Sequence, residues 1–474
     1  MVCASARRST VFLLTTLFHS VSASDDNNEE FPASKLERST IFAKTGLKVG
    51  SNYAKYLANR ITGRGGDEDR QKRELNTKNA RDVLEEFTRL RGTALKLAQS
   101  MSLDTGMMPE EFMDVMAEAQ YSVPPMNKAL VRKRIRDALG RDPVLLFDHF
   151  DLEAMAAASI GQVHRARLQD GRDVAIKIQY PNVRETIQSD LAVARTLFNR
   201  LVRGGSVDAH VEEVRARLEE ETDYLNEAEN IRFFAERYGG DRIVTPTAVP
   251  EYTTPTVLTM SYVDGRHLDA FLADDPDQRT RDHFGQLLWD FLHEQVSDGH
   301  RTLHADTHPG NFLFRDDGRL GVIDFGCVKT FPSDFRNDVL RLYRARMENN
   351  DAAIDRLLRR LEVLPKADAD IDPARVRDVF DRYGSLLVEP YRHSSFDFGD
   401  PTFRRRLHQV FREATRIREV VGSPHFVFLN KALVGLLNLL TQLKPRIETS
   451  KALGLINEEI ERVGAEPMNV DSAP

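Results

Sequence analysis

An aspartate five residues ahead of an asparagine, Asp306 and Asn311, with a second aspartate, Asp324, 18 residues beyond the first, suits phosphoryl transfer. The run His304-Ala305-Asp306-Thr307-His308-Pro309-Gly310-Asn311 is short enough to form one loop. On it Asp306 can face a substrate hydroxyl and Asn311 a metal ion. Asp324, at the head of Asp324-Phe325-Gly326, can close the same metal cage. Moving a γ-phosphoryl group needs one carboxylate near the nucleophile and oxygens that hold Mg²⁺ against the phosphates. Mg²⁺ prefers hard oxygen ligands and keeps several waters, so two or three such residues suffice. A lone Asp-Phe-Gly is a common turn tripeptide, and a His-x-Asp alone says as little. Their order and spacing together point to chemistry.

These residues need elements to aim them. Phe312-Leu313-Phe314 and Arg319-Leu320-Gly321-Val322-Ile323 read as two short strands joined by a turn at Asp316-Asp317-Gly318, a hairpin with Asp324 at its exit. Upstream, Val174-Ala175-Ile176-Lys177 is an alternating apolar strand, and Lys177 on it can reach into a cleft and hold α/β phosphates. The bland alternative is a lysine snorkelling at a strand edge. The preceding segment, Ala156-Ala157-Ala158-Ser159-Ile160-Gly161-Gln162-Val163, is where a nucleotide roof would lie, yet it lacks a Gly-x-Gly-x-x-Gly pattern. Alanine methyl groups restrict the backbone, so its phosphate grip should differ from a glycine-rich one, with Ser159 able to supply a hydroxyl. Taken alone, Ala-Ala-Ala-Ser reads as a helix start. An acid for Lys177 should come from the helical stretch around Glu220 to Asn230, where Glu221, Asp223 and Glu227 are the candidates.

The whole chain of 474 residues divides on its composition and patterning. We expect a targeting segment at 1–23, a polar linker and basic amphipathic helix at 24–79, and a helical extension at 80–143. A strand-rich lobe at 144–263, a helical lobe at 264–465 and a tail at 466–474 follow. This is an α+β, bilobal protein-kinase-like architecture with an N-terminal helical extension. Arg7 and Arg8 before the apolar run Val11 to Phe18, then Val21-Ser22-Ala23, give a signal-like or organellar presequence pattern. Lys35 to Arg64 sets seven basic residues against Glu37, with interleaved apolar ones, so a helix there could lie on an anionic membrane or dock on the body. Residues 63–71 read as a polar linker. A net charge of −7 gives no reason to expect nucleic acid as a partner. Cys3 and Cys327 are the only cysteines, which excludes a disulfide framework. Phe426 to Leu443 is apolar but holds Asn430, Lys431, Asn438 and Gln442, and reads as a buried helix.

In order, these residues resemble the UbiB/ADCK (aarF-domain-containing) family of atypical kinase-like proteins. The match is carried by Lys96-Leu97-Ala98-Gln99, Ala156 to Val163, Val174 to Lys177, Glu221-Thr222-Asp223-Tyr224, Glu227, His304 to Asn311 and Asp324-Phe325-Gly326. The resemblance implies ATP or ADP and Mg²⁺ as cofactors. It implies that Lys177 binds phosphates and pairs with Glu227, that Asp306 is the acidic residue of the catalytic loop, and that Asn311 and Asp324 hold Mg²⁺. Ala156, Ala157, Ala158 and Ser159 would replace a glycine-rich loop. Lys96 and Gln99 would cover the site, with Lys96 paired to Glu221 or Asp223. It implies a role in ubiquinone or other prenyl-lipid metabolism, with a lipid or membrane surface and lipid-biosynthesis proteins as partners. The compartment it implies is a mitochondrion or plastid rather than the secretory pathway. Two departures stand out: Ala98 where the family usually has Gly, and Ser261 at the cleft hinge where an acid is common.

Two other readings compete. His-x-Asp-x-His-Pro-x-Asn also resembles the loop of small-molecule phosphotransferases such as aminoglycoside and choline kinases, and His308 stands where protein kinases usually place a lysine. The basic helix raises a nucleotide-gated lipid-binding protein that transfers no phosphate to its lipid.

Overall fold

The computed structural model describes residues 35–61, 68–90, 111, 115, 125–158, 160–201, 208–364, 373–415 and 423–464. The presequence, Lys96, Gln99, Ala98, Ser159 and the tail lie outside the described residues, as does most of residues 91–124 of the expected helical extension.

Two helices come first, α1 (Lys35–Ile61) and α2 (Glu68–Leu90). The second begins inside the stretch read as a linker, so residues 68–71 are helical. Thr45, Val49 and Asn52 recur at helical spacing on the buried face of α1, and Leu75, Asn79, Ala80 and Val83 do so on α2. A polar contact fixes their register: Asn52 Nδ2 donates to Asn79 Oδ1 at 2.9 Å and to Asp82 Oδ2 at 2.8 Å. Next, α3 (Lys128–Leu139) starts where the Asn127 side chain accepts from Leu130 N at 2.8 Å and stops at Gly140, with φ 75°.

A short α4 (Pro143–Leu146) leads into β1 (Phe147–Phe150), β2 (Ala156–Ala158), β3 (Gly161–Leu168) and β4 (Asp173–Gln179). Three helices follow, α5 (Val183–Leu201), α6 (Asp208–Glu221) and α7 (Tyr224–Tyr238), then β5 (Ile243–Val244) and β6 (Val257–Ser261). The antiparallel sheet runs β1-β3-β4-β6, with β2 paired to β3. From Val174 to Gln179 every residue of β4 is buried, so Lys177 sits in a strand covered on both faces.

The alanines are therefore a strand and not a helix start. Ala156 pairs with Val163, Ala157 with Gln162 and Ala158 with Gly161. Sheet pairing overrides the helical preference of alanine. Gly161 is required at the fold of this hairpin, because a Cβ there would stand 2.3 Å from the Ile178 carbonyl oxygen. Gly161→Ala is expected to destabilise the protein by about 1–3 kcal/mol through this overpacking. Thermal unfolding measures it, and an unchanged melting temperature would show that the strand has room to shift.

The second half is mainly helical: α8 (Leu268–Ala273), α9 (Gln278–Ser297), then β7 (Thr302–His304), β8 (Phe312–Phe314), β9 (Leu320–Val322) and β10 (Val328–Thr330). After these come α10 (Ser333–Met347), α11 (Asp351–Arg360), α12 (Pro373–Val388), β11 (Ser395–Asp397), α13 (Pro401–Thr415), α14 (Pro424–Leu443), β12 (Arg446–Glu448) and α15 (Ser450–Gly464). Its core gathers on α9, whose Phe284, Leu288, Trp289 and Phe291 are buried, and on α14, whose Ala432, Leu436, Leu439 and Leu440 are buried. Among the described residues no helix is long and apolar enough to cross a membrane.

Candidate active site

Three short-range devices build the site. β8 and β9 form an antiparallel hairpin, Phe312 opposite Val322, which delivers Asp324 just beyond its end. β7 and β10 pair antiparallel, His304 opposite Val328, so the strand before Asp306 and the strand after Asp324 share one ladder. Ala305 N then donates to Cys327 O at 2.9 Å. Within the loop Asn311 Nδ2 donates to Asp306 O at 2.9 Å, so the Asn311 amide oxygen is the atom it could offer to a metal.

The Asp-Phe-Gly turn is locked from α7. Phe325 is fully buried, its ring centroid 5.1 Å from Phe234 and 5.5 Å from His304. Burying that ring contributes about 2–3 kcal/mol. Asn230 Nδ2 donates to Phe325 O at 3.0 Å, and His304 Nε2 donates to Asp324 O at 2.7 Å. Burial pushes the His304 imidazole down, so it is neutral at physiological pH.

Glu227, Asn230 and Phe234 lie on one face of α7, at i, i+3 and i+7. This phase puts Glu227 beside Lys177. The Lys177 ammonium lies 2.9 Å from Glu227 Oε1, 3.0 Å from Oε2 and 3.1 Å from Asp324 Oδ2. Lys177 and Glu227 are 7% and 2% exposed, while the Asp324 side chain stays 36% open to the cleft. Burial opposes the charge on Lys177, but the carboxylates of Asp324 and Glu227 outweigh it and hold the ammonium well above its ordinary range. Burial lifts the Glu227 carboxyl above its ordinary value, against the pull of Lys177. Desolvation also opposes ionisation of Asp324, but Lys177 and the Gly326 N–H, 2.9 Å from Oδ1, keep it below the ordinary carboxylate value. The Tyr224 ring lies 5.3 Å from the Lys177 ammonium, a cation–π contact with no local signal in the sequence.

Of the other acids, Asp223 caps α7, its Oδ1 accepting from Leu225 N at 3.1 Å, and Glu221 ends α6, half-buried. Any pairing of either with Lys96 lies outside the described residues. At the hinge, Ser261 Oγ accepts from Thr247 N at 2.8 Å, so that hydroxyl serves the neighbouring backbone. His308 accepts from Gly310 N at 3.1 Å and caps its own turn. The charge facing Asp306 is instead Lys431 of α14, its ammonium 2.7 Å from Asp306 Oδ1. Sequence reading had passed over Lys431 as one polar residue in an apolar helix.

Asp324 and Asn311 offer one carboxylate and one amide oxygen to a metal. Among the described residues no group of three or more His, Cys, Asp and Glu gathers for one. Such a hard, sparse oxygen set fits Mg²⁺ completed by phosphate oxygens and water, and does not fit a soft or fully protein-caged metal.

Residues 118–358 match the ABC1 atypical kinase-like domain. The chain belongs to that family. It is 32% identical over 336 residues to the Arabidopsis thaliana protein Activity of BC1 complex kinase 8, chloroplastic, covering 68% of this chain and 44% of that one. It is 28% identical over 391 residues to the Saccharomyces cerevisiae atypical kinase COQ8, mitochondrial, covering 79% and 75%. The chain thus spans less than half of the Arabidopsis relative. Among solved structures, the Rv3197–erythromycin complex from Mycobacterium tuberculosis is similar, with a TM-score of 0.55 and 28% identity, covering 85% of this chain and 100% of that one. The ABC1 match and this neighbour make the α+β fold kinase-like. The matched segment includes Lys177, Glu227, Asp306, Asn311 and Asp324, and ends upstream of Lys431.

Proposed function

We propose that this protein binds ATP with Mg²⁺ and acts as an atypical kinase or ATPase in ubiquinone or other prenyl-lipid metabolism. The observation that carries this is the Lys177–Glu227–Asp324 cluster, with Asp306 and Asn311 joined in one loop that follows the strand paired to β10. Lys177 is the phosphate cation, fixed by Glu227 so that it meets the nucleotide at a set position. Asp324 and Asn311 would hold Mg²⁺, which supplies Lewis-acid stabilisation of phosphoryl oxygens. Asp306 takes the proton of the attacking hydroxyl or water.

The acceptor is small, lipid or water, and not an extended peptide. Only residues 327–332 separate Gly326 from α10, and β10 within them folds straight back onto β7. An added peptide strand needs a free edge with room beside it, and this connection offers no long segment to frame one. The lipid setting is supported by the family and by α1. Its Lys44 and Lys55 share an exposed stripe with Leu47, which is 76% exposed, while Lys48 between them is ion-paired to Asp82 and Glu85 of α2. The mitochondrial and chloroplastic relatives support an organellar location.

ATP turnover measured with Mg²⁺ or EDTA, and with or without anionic liposomes carrying a polyprenyl-phenol headgroup mimic, tests the reading. Turnover that requires Mg²⁺ and rises with the liposomes is expected. Turnover indifferent to EDTA would refute the site, and rapid phosphorylation of a soluble alcohol would favour the small-molecule phosphotransferase.

A further inference from the structure

Asp306 is gripped by a helix far away in sequence. Thr307, the next residue, donates its hydroxyl to Ala432 O at 2.8 Å across 125 positions. One turn further along α14, Gly435 has no room for a side chain, since a Cβ would stand 2.1 Å from Thr307 Oγ1 and 3.0 Å from Thr307 O. Loop and helix thus touch at two points around Lys431, which sets its direction. Lys431 does not snorkel to open water, the ordinary course for a lysine in an apolar helix. Its ammonium lies on the Asp306 carboxylate at 2.7 Å, and the two side chains are 29% and 27% exposed. A pair this open contributes little to stability. It stands at a carboxylate that phosphoryl transfer requires.

Among the described residues, Lys177 is the phosphate cation of the nucleotide reading and is held by Glu227 and Asp324. Residue 308 is a histidine occupied in capping its own turn. We propose that Lys431 is the ammonium that contacts the terminal phosphate of the nucleotide on the Asp306 side, a phosphate-binding catalytic residue delivered by α14. The inference rests on the nucleotide reading above.

In the step, the attacking oxygen forms a bond to the γ-phosphorus as the bond to the β,γ-bridging oxygen breaks. ADP leaves with that electron pair, and the attacking oxygen's proton passes to Asp306. Charge on the transferred group's oxygens meets the N–H groups of Lys431, while the same ammonium keeps Asp306 oriented. A lysine suits this because it is a compact point charge with three donors and can serve a carboxylate and a phosphate at once.

The test compares full-length wild type, Lys431→Met and Lys431→Arg for Mg-ATP affinity, Mg-ADP affinity, turnover and melting temperature. In Lys431→Met the preference for ATP over ADP should fall about tenfold with ADP affinity unchanged, and turnover should fall about a hundredfold. Lys431→Arg should keep most of the preference. If Lys431→Met melts too low to assay, Lys431→Gln carries the same comparison. An unchanged ATP-to-ADP preference, or equal weakening of both nucleotides with a lowered melting temperature, overturns the inference alone. Wild type binding neither nucleotide overturns the nucleotide reading and this inference with it.

Discussion

Asp324→Asn is expected to abolish Mg²⁺-dependent nucleotide binding and to lower ATP turnover by about three orders of magnitude or more, since a Lewis-acid metal supplies several kcal/mol. The fold should survive. Lys177 keeps Glu227 at 2.9 Å, and an asparagine oxygen can still accept from Gly326 N. What is lost is the carboxylate that, among the described residues, meets the Lys177 ammonium while its side chain stays 36% exposed. Asp306→Asn provides the contrast. Asp306 pairs with Lys431, and the Lys177 cluster has ion pairs of its own, so nucleotide binding should persist while turnover falls about 10²–10⁴-fold. Titration calorimetry with and without EDTA, alongside steady-state turnover, separates the two. If the Asp324→Asn protein binds Mg-ATP as wild type does, the metal assignment is wrong.

Lys177→Met should cost about 3–5 kcal/mol of stability, because it leaves Glu227, 2% exposed, without its counter-charge. The loss should depend on pH in a definite sense. Burial already lifts the Glu227 carboxyl above its ordinary 4.5, and removing the ammonium lifts it further. Between the unfolded and the raised folded value, the folded chain holds more protons than the unfolded one. Stability therefore falls as pH rises through that window and levels off above the folded value. The variant should thus be least impaired in mild acid and most impaired at neutral pH. Adding Glu227→Gln should recover much of the loss by removing the stranded charge. Denaturant unfolding of the single and double variants across pH measures this. A pH-independent loss, or no recovery in the double variant, would mean that packing and not charge sets the cost.

Local pattern made much of this protein legible. The loop spacing of Asp306 and Asn311 and the hairpin ahead of Asp324 are short-range features, set by residues within a few positions of one another, whereas the alternation expected around Lys177 gave way to a strand buried on both faces. Chain reversals, strand periodicity and caps such as Asn127 and Gly140 are written at that range. Asn311, Asp324 and Lys177 could therefore be singled out before any contact was known.

Tertiary structure decided the partners. From the residues alone three acids near α7 were open for Lys177, and the family resemblance pointed to Glu227. The docking of α7, with Asn230 and Phe234 holding Phe325, put Glu227 beside it, while Asp223 became a cap. Alanine's helical preference gave way at Ala156–Ala158 once β3 offered a ladder. Lys431 was invisible as a site residue, because an apolar helix with one lysine looks the same wherever it packs. The Thr307–Ala432 contact across 125 positions gave that lysine its place. Sequence by itself determined which chemical groups the chain carries and their local geometry. Only the long-range packing of α7 and α14 determined which charges meet, since that depends on helix phase and docking that no local pattern encodes.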